Sequence, residues 1–526
     1  MSAQIKKMFA RTDSGVSWLQ PLLMASCLLV LVTAAAIPAF AAGDAERGAE
    51  IYTMRCALCH GDEGDGMGPA AERLNPPPRD FTMAQYKIRT TDFEEIAPAD
   101  ADLVRMIHDG MPGTAMPGWG DLLSEQDIDD LVVFIKTLAG LEEEEPGKPI
   151  DYGNQVAISA ESIEQGSQIF HDDDRCSECH GQGGKGDAVK KLKDDSGYRT
   201  WPRNLTKPWT FRGSNDPRDI YTRITTGIAG TQMPSFDDPA SENRLSIEQR
   251  WHVANYVNSL AKTDKVVRPE NTVIRAVRVE GRVPTAPDDP QWQQALSTTF
   301  LLVPQLIAEE RFFTPTNDTI TVRAVYNEEE IAFHLEWDDR TRSIPGDKAA
   351  EKIADPEISE DMVAIQLPMA LPRGTEKPYF LRGDASHPVN LWSWHSGTAD
   401  SAPRVSLRNA RGLTDTIERD PVAVGLEGMG SYQDGTWQVV VRRTRVTADP
   451  TQDLQFIEGA FIPVAFSAWD GSNSEQGSAH TLTTWYWLLL KPPPGNQPWL
   501  YAGFAFVLIL LLELWWARSA RRRTRS

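Results

Sequence analysis

The sequence predicts a multidomain chain: two all-α domains, then an all-β sandwich, then one C-terminal transmembrane helix. Residues 43–140 and 158–262 repeat one helical ground plan, each around a Cys-x-x-Cys-His block. Beyond Lys265, helical periodicity gives way to apolar alternation. Near the end, Trp499 to Trp516 is an apolar run just long enough to cross a bilayer as a helix.

The two blocks are Cys56-Ala57-Leu58-Cys59-His60 and Cys176-Ser177-Glu178-Cys179-His180. Two thiols at this spacing can both form thioethers to the vinyl groups of one haem. The adjacent His then lies against the iron as its proximal ligand. A split zinc site or two redox Cys-x-x-Cys pairs are the other readings. Zinc gathers its ligands more closely, and neither alternative explains a His directly after both second cysteines. Two covalent haem c groups follow, attached through Cys56, Cys59, Cys176 and Cys179, with His60 and His180 on the irons.

The repeat supplies the rest of each site. Each copy opens with a helix carrying a Gly and, four residues on, an aromatic: Gly48 with Tyr52, and Gly166 with Phe170. Such a Gly permits another helix to cross closely. After the Cys block comes a Pro-rich loop with an arginine, Pro78-Arg79-Asp80-Phe81 and Pro202-Arg203-Asn204-Leu205. Arg79 and Arg203 are suited to haem propionates if buried, and are solvated loop charges if not. Next, Gly110-Met111-Pro112-Gly113-Thr114-Ala115-Met116-Pro117 aligns without gaps on Gly227-Ile228-Ala229-Gly230-Thr231-Gln232-Met233-Pro234. Met116 and Met233 fall in register as distal thioether ligands, which raise the potential of a haem. Met111 pairs with Ile228 and reads as packing. Each copy closes with an amphipathic helix, Ser124–Leu138 and Ser246–Leu260. His108, His171 and His252 read as surface or helix residues.

On these motifs both segments resemble class I cytochrome c domains. The resemblance covers roughly two-fifths of the chain and implies haem c and electron transfer. With both axial positions filled, neither haem would bind substrate.

Four of the five cysteines sit in the two blocks. The fifth, Cys27, lies in an apolar N-terminal stretch that follows Lys6, Lys7 and Arg11 and ends at Ala39-Phe40-Ala41. Residues 1–41 therefore read as a secretory signal, with an uncleaved anchor as the other reading. At the far end, Arg518, Arg521, Arg522, Arg523 and Arg525 follow the apolar run, placing the tail 517–526 in the cytoplasm and the globular mass on the periplasmic side. Formal net charge is −21. That acidity argues against nucleic acid and favours basic partners such as soluble cytochromes.

The remaining domains divide as 43–145, 155–265 and 270–490, with the membrane helix at 499–516. In the third, Ile320, Val322, Ala324 and Tyr326, a turn at Asn327–Glu329, then Ile331, Phe333, Leu335 and Trp337 predict a β-hairpin with one buried face. Met362–Leu367, Trp437–Arg443 and Phe461–Trp469 are further strand candidates, and Lys491-Pro492-Pro493-Pro494-Gly495 is a stiff spacer.

Two segments carry a second resemblance: Tyr379-Phe380-Leu381-Arg382-Gly383-Asp384 running to His395, and Pro463 through Trp469-Asp470-Gly471 to His480, with Asp289-Pro290-Gln291-Trp292 upstream. Together they resemble the haem b-binding domain of the ethylbenzene dehydrogenase gamma-subunit family. The resemblance implies a β-sandwich holding one haem b, and electron exchange with a molybdenum oxidoreductase through an iron–sulfur subunit. The family's ligands are a Met just before the Gly-Asp and a Lys shortly after the Trp-Asp-Gly. Here Arg382 stands in the first place and His480 falls near the second. A guanidinium cannot ligate iron. Either imidazole substitutes, as in a bis-His pair of His387 and His480 with His395 also near, or haem b is absent.

The function expected is a membrane-anchored, periplasmic electron relay without a catalytic site of its own. It would run between an oxidoreductase and a soluble cytochrome or the respiratory chain. Alternatives make the β-domain a haem-free binding module, its groove lined by Trp392, Trp394 and Trp469, or an open-site haem oxidoreductase.

Overall fold

A computed structural model describes residues 43–523, apart from 75, 93–96, 113, 146, 188–191, 196, 198, 263–266, 269, 310–315, 347–357, 375 and 494–496. The signal segment with Cys27, Lys265, part of the spacer and Arg525 lie outside the described residues.

Each repeat folds around its own apolar core. In the first, helix Ala45–Arg55 starts at Asp44, whose carboxylate accepts from the amides of Glu46 and Arg47 at 2.9 and 3.3 Å. It crosses helix Glu125–Leu138, which opens with a capping box between Ser124 and Asp127. The crossing is close because of Gly48: a Cβ there would lie 2.1 Å from the carbonyl oxygen of Asp130. The second repeat solves the same problem identically. Helix Ala160–His171 crosses helix Ile247–Ser259, and a Cβ on Gly166 would lie 2.0 Å from the carbonyl oxygen of His252. A Ser246–Gln249 capping box starts the latter helix. One departure from all-α is a short antiparallel pair, Leu192–Lys193 with Arg199–Thr200.

The segment between the repeats is not a free linker. The Asp92 amide donates to the Lys148 carbonyl at 2.8 Å and that of Ile150 to the Thr90 carbonyl at 3.0 Å, while Ile150 itself packs in the second core.

Beyond Asn271 the described chain builds a sheet of 14 strands. Its order runs from Thr416–Arg419 through Val389–His395, Met362–Pro368 and Phe461–Trp469, then through Val273–Arg278 and the hairpin Thr319–Tyr326/Glu330–Asp338, to Glu427–Gln433. Neighbours are antiparallel except where Val273–Arg278 joins Tyr486–Leu490 and Thr319–Tyr326. The sheet doubles over, so Val363, Ile365 and Trp392 from one half share a core with Val322, Phe333 and Leu335 from the other. Gly430 makes room for the closure: a Cβ there would lie 2.3 Å from the Trp394 ring.

The hairpin has both faces covered, not one. Val325 and Ala332 on its second face pack with Val279, Val283 and Trp292 from the segment that crosses it. Alternation detected one face; the cover comes from residues distant in pattern and could not be read from the hairpin itself. Trp392 and Trp394 are fully buried and line no groove. Helix Gln497–Arg523 contains the span Leu500–Ser519, long and apolar enough to cross a membrane.

Candidate functional site

In both repeats the Cys block forms a single short turn, Ala57–His60 and Ser177–His180, packed at the end of the first helix. Each turn stops at a glycine in the left-handed region, Gly61 with φ +81° and Gly181 with φ +78°. The histidines then meet one fixture twice: Nδ1 of His60 lies 3.0 Å from the carbonyl oxygen of Arg79, and Nδ1 of His180 lies 3.0 Å from that of Arg203. Donation through Nδ1 sets the tautomer and leaves the Nε2 lone pair for a metal. Burial holds both imidazoles below the usual histidine range, which favours the neutral, ligating form. The ring of His60 also stacks on Phe81 at 4.6 Å.

Burial pushes Cys56 up to about 11 and Cys176 up to about 12, so both sulfurs are poor thiolates. Cys56 packs on the first core and Cys176 on the second, so the two pairs do not converge on one zinc.

The methionine loops are built alike, bond for bond. In the first, the Met111 amide donates to the Met116 carbonyl at 3.1 Å, and Thr114 Oγ1 caps the turn by donating to the Met111 carbonyl at 2.7 Å. In the second, Ile228, Met233 and Thr231 make the same bonds at 3.1 and 2.8 Å. Met111 thus occupies a scaffold position that an isoleucine fills equally well. Gly110 and Gly227, both at positive φ, let each loop fold back on itself; a Cβ at either would lie 2.8 Å from its methionine's carbonyl oxygen.

Where the repeats meet, a cationic cluster collects. Burial, together with Arg203 and Arg79 as like-charged neighbours, pulls Arg212 down to about 10. Lys87 falls to about 8, through burial and the nearby Arg79 and Arg212. Arg79 and Arg203 are themselves lowered by burial. Tyr86 Oη and Arg212 Nε are buried there without hydrogen-bond partners, as is Trp209 Nε1, three residues before Arg212 in the chain. Buried donors beside crowded cations call for anionic partners. Arg79 and Arg203 were legible as candidates; Lys87, Arg212, Tyr86 and Trp209 were not singled out. Continuing the repeat alignment with a one-residue gap would have found three of them, since it pairs Tyr86 with Trp209 and Arg89 with Arg212.

The second repeat also docks on the β-domain. Lys207 Nζ, 7% exposed, lies 2.5 Å from Asp318 Oδ1 and 3.0 Å from Asp338 Oδ2. Asn204 Nδ2 donates to Asp338 Oδ2 at 3.3 Å, and the Arg340 guanidinium covers the Trp201 ring at 4.3 Å.

In the β-domain, Met362, Arg382, His395, Arg408, Trp469 and His480 line one cavity of about 200 Å³. His480 stacks on Trp469 at 4.6 Å, and its Nδ1 is buried without a partner. Burial and the Arg382 charge pull it down to about 3, so it is neutral. His387 is not in this cavity. It faces Asp384 at 3.3 Å and Glu376 at 3.6 Å, so the expected pairing of His387 with His480 is not formed. The left-handed backbone at Arg382 (φ +61°) and the Asp384 turn that follows carry His387 away. His395 lines the cavity instead. The other histidines serve structure: His108 bonds Asp109, His171 bonds the Ser167 carbonyl, and His252 is buried against Ser162.

Comparisons with known proteins match this division. Residues 43–135 match the family model for cytochrome c oxidase, cbb3-type, subunit III, and residues 163–261 match that for cytochrome c. A cytochrome c55X of Stutzerimonas stutzeri is 38% identical over 117 residues, which cover 21% of this chain and 80% of that relative. The chain belongs to the cytochrome c family. As a cytochrome c it binds haem and transfers electrons. Residues 289–415 of this cytochrome match the ethylbenzene dehydrogenase family model. A putative respiratory nitrate reductase heme subunit of Haloferax mediterranei is 28% identical over 38% of the cytochrome and 67% of its own length. Dimethylsulfide dehydrogenase subunit gamma of Rhodovulum sulfidophilum is 27% identical over 44% and 86%.

Proposed function

We propose that this cytochrome is a membrane-anchored dihaem relay. It would carry electrons between a periplasmic, molybdenum-dependent oxidoreductase with its iron–sulfur subunit and a soluble cytochrome or the respiratory chain. The observation that carries the reading is the duplication of one frame: in each repeat a His held through Nδ1 by an arginine carbonyl, and a threonine-capped methionine loop.

Haem iron, when bound, supplies a one-electron couple. Cys56 and Cys59, and Cys176 and Cys179, would hold the two macrocycles covalently. His60 and His180 would ligate through Nε2, with Met116 and Met233 opposite. Arg79 and Arg203, with Lys87, Arg212, Tyr86 and Trp209, would meet the propionates. The relationship to nitrate reductase and dimethylsulfide dehydrogenase subunits supports the choice of partner, and the C-terminal helix with its arginines supports the anchor and its sidedness.

For the β-domain the donors suit a haem b: a buried neutral imidazole at His480, a thioether at Met362, and Arg382 and Arg408 for propionates. The cavity of about 200 Å³ is smaller than the ~300–1,000 Å³ of pockets that bury sizeable ligands, so seating a haem there requires it to enlarge.

Pyridine haemochrome spectra before and after acid–acetone extraction test the inventory. Two covalent c haems, both low-spin, are expected, and Met233→Ala should convert one into a form that binds carbon monoxide when reduced. Fewer than two covalent haems would sink the relay. One extractable b haem supports redox use of the β-domain; none, even after reconstitution, makes that domain a partner-binding module.

A further inference from the structure

Three carboxylates converge where strands from the two halves of the folded sheet end. Asp339 follows strand Glu330–Asp338, Asp361 precedes strand Met362–Pro368, and Asp470 follows strand Phe461–Trp469. One oxygen from each lies within 4.8 Å of the other two. They are 2%, 0% and 0% exposed, and Glu475, at 1%, packs behind Asp470.

Most of these oxygens are occupied. Asp361 Oδ2 accepts from the Ser343 amide at 2.6 Å and Trp437 Nε1 at 2.9 Å, and Oδ1 accepts from the Gly471 amide at 2.9 Å. Asp470 Oδ1 accepts from the Ser472 amide and hydroxyl, and Oδ2 from Thr316 Oγ1. Glu475 accepts from the Asp470 amide and Asn473 Nδ2. Asp339 breaks the pattern. Its Oδ1 accepts from the Thr341 amide at 3.2 Å, while its Oδ2 is buried with no hydrogen-bond donor. The Asp339 carboxylate that carries it is one of the three that converge. Asn317, beside Thr316 in the chain, is 1% exposed and likewise has both amide atoms unpartnered.

Among the described residues no lysine or arginine pairs with these four acids, whose dominant charged neighbours are one another. Charge buried this deep is costly, and so is the repulsion between like charges held this close. A bound cation removes both penalties. The donor set is all oxygen and hard, which excludes thiophilic metals. It is also a dry protein cage, suited to calcium rather than magnesium, which retains its waters.

We propose that Asp339, Asp361 and Asp470 form a Ca²⁺ site that fastens the two halves of the β-sheet at the end facing the second haem domain. Asp338 and Arg340, the chain neighbours of Asp339, are the residues that dock on Asn204, Lys207 and Trp201. The ion therefore sits directly behind the docking segment and holds it in place. This inference does not depend on whether the β-domain carries haem b.

The test uses the full-length, haem-loaded protein in detergent, dialysed against EGTA and titrated with CaCl₂. One calcium per chain by metal mass spectrometry is expected, with a rise of about 5–10 °C in the β-domain Tm at free Ca²⁺ near 100 times the Kd. Asp339→Asn should weaken Ca²⁺ binding at least tenfold while leaving the calcium-free Tm unchanged or higher, because it removes a repelling charge. A protonated acid cluster with no ion would instead give a calcium-independent Tm and no bound metal, overturning the proposal without recourse to any variant. Unchanged Ca²⁺ affinity in Asp339→Asn would overturn it as well.

Discussion

Arg105 and Asp219, from different repeats, meet through two parallel hydrogen bonds of 2.9 and 2.6 Å. Arg105 lies on helix Asp100–Asp109 and Asp219 on helix Pro217–Thr226, the helices that lead into the two methionine loops. The haem domains therefore face each other through the same element. Arg223 reinforces the junction by donating to the Arg89 carbonyl at 2.8 Å.

This pair predicts an acid-sensitive junction. Burial pushes the Asp219 carboxyl up, but hydrogen bonds from Arg105 and Ser214 more than offset it and hold the group below the usual range. A depressed carboxylate contributes stability above its unfolded pKa of about 4, and that stability is lost as pH falls through the lower folded value. The two side chains are partly exposed, so a coupling of about 0.5–1 kcal/mol is expected at pH 7. A double-mutant cycle of Arg105→Ala with Asp219→Asn, run at falling pH from 7, should show the coupling shrink only below pH 4, as the carboxyl protonates.

Lys207 predicts a different dependence. Burial works against its charge, but Asp318 and Asp338 more than offset that, and its pKa is raised. Lys207→Met leaves Asp318 and Asp338, 37% and 18% exposed, without their shared cation, a loss of about 1–3 kcal/mol. Thermal unfolding should show it, together with new proteolytic cleavage between the second haem domain and the β-domain. Adding Asp338→Asn to Lys207→Met should recover part of the loss.

Arg212 should tune potential. Removing a positive charge beside a haem disfavours the reduced form, so Arg212→Leu should lower a midpoint by roughly 1 kcal/mol, or ~40 mV for one electron. Spectroelectrochemical titration separates the two haems. A shift upward would mean that Arg212 meets no propionate.

What the sequence disclosed followed from repetition. Wherever the two copies could be laid over each other, a residue type recurring at one offset marked a role common to both. Gly48 and Gly166 mark the helix crossing in this way, and Met116 and Met233 mark the loops. The hairpin was legible because alternate residues bury one face, but its second cover was not, because Trp292 reaches it from outside the pattern. His387 misled because proximity in sequence to the Gly-Asp says nothing about side-chain direction, which the left-handed backbone at Arg382 decides. The acid triad was invisible for a related reason: Asp339, Asp361 and Asp470 are scattered along the chain and meet only at strand ends. Lys207, in turn, looked like one more loop charge until its partners on the β-domain were in place.

The loop Pro202–Lys207 has an electronic consequence. From His180, bonds run through Nδ1 to the Arg203 carbonyl, along one peptide unit to Asn204, and through its amide to Asp338 on the β-domain. Tunnelling electrons lose far less amplitude along bonds than across gaps. His180 and the β-domain wall are thus joined by a continuous path of bonds and two hydrogen bonds, and a redox centre seated behind that wall would couple through it to a haem held by His180.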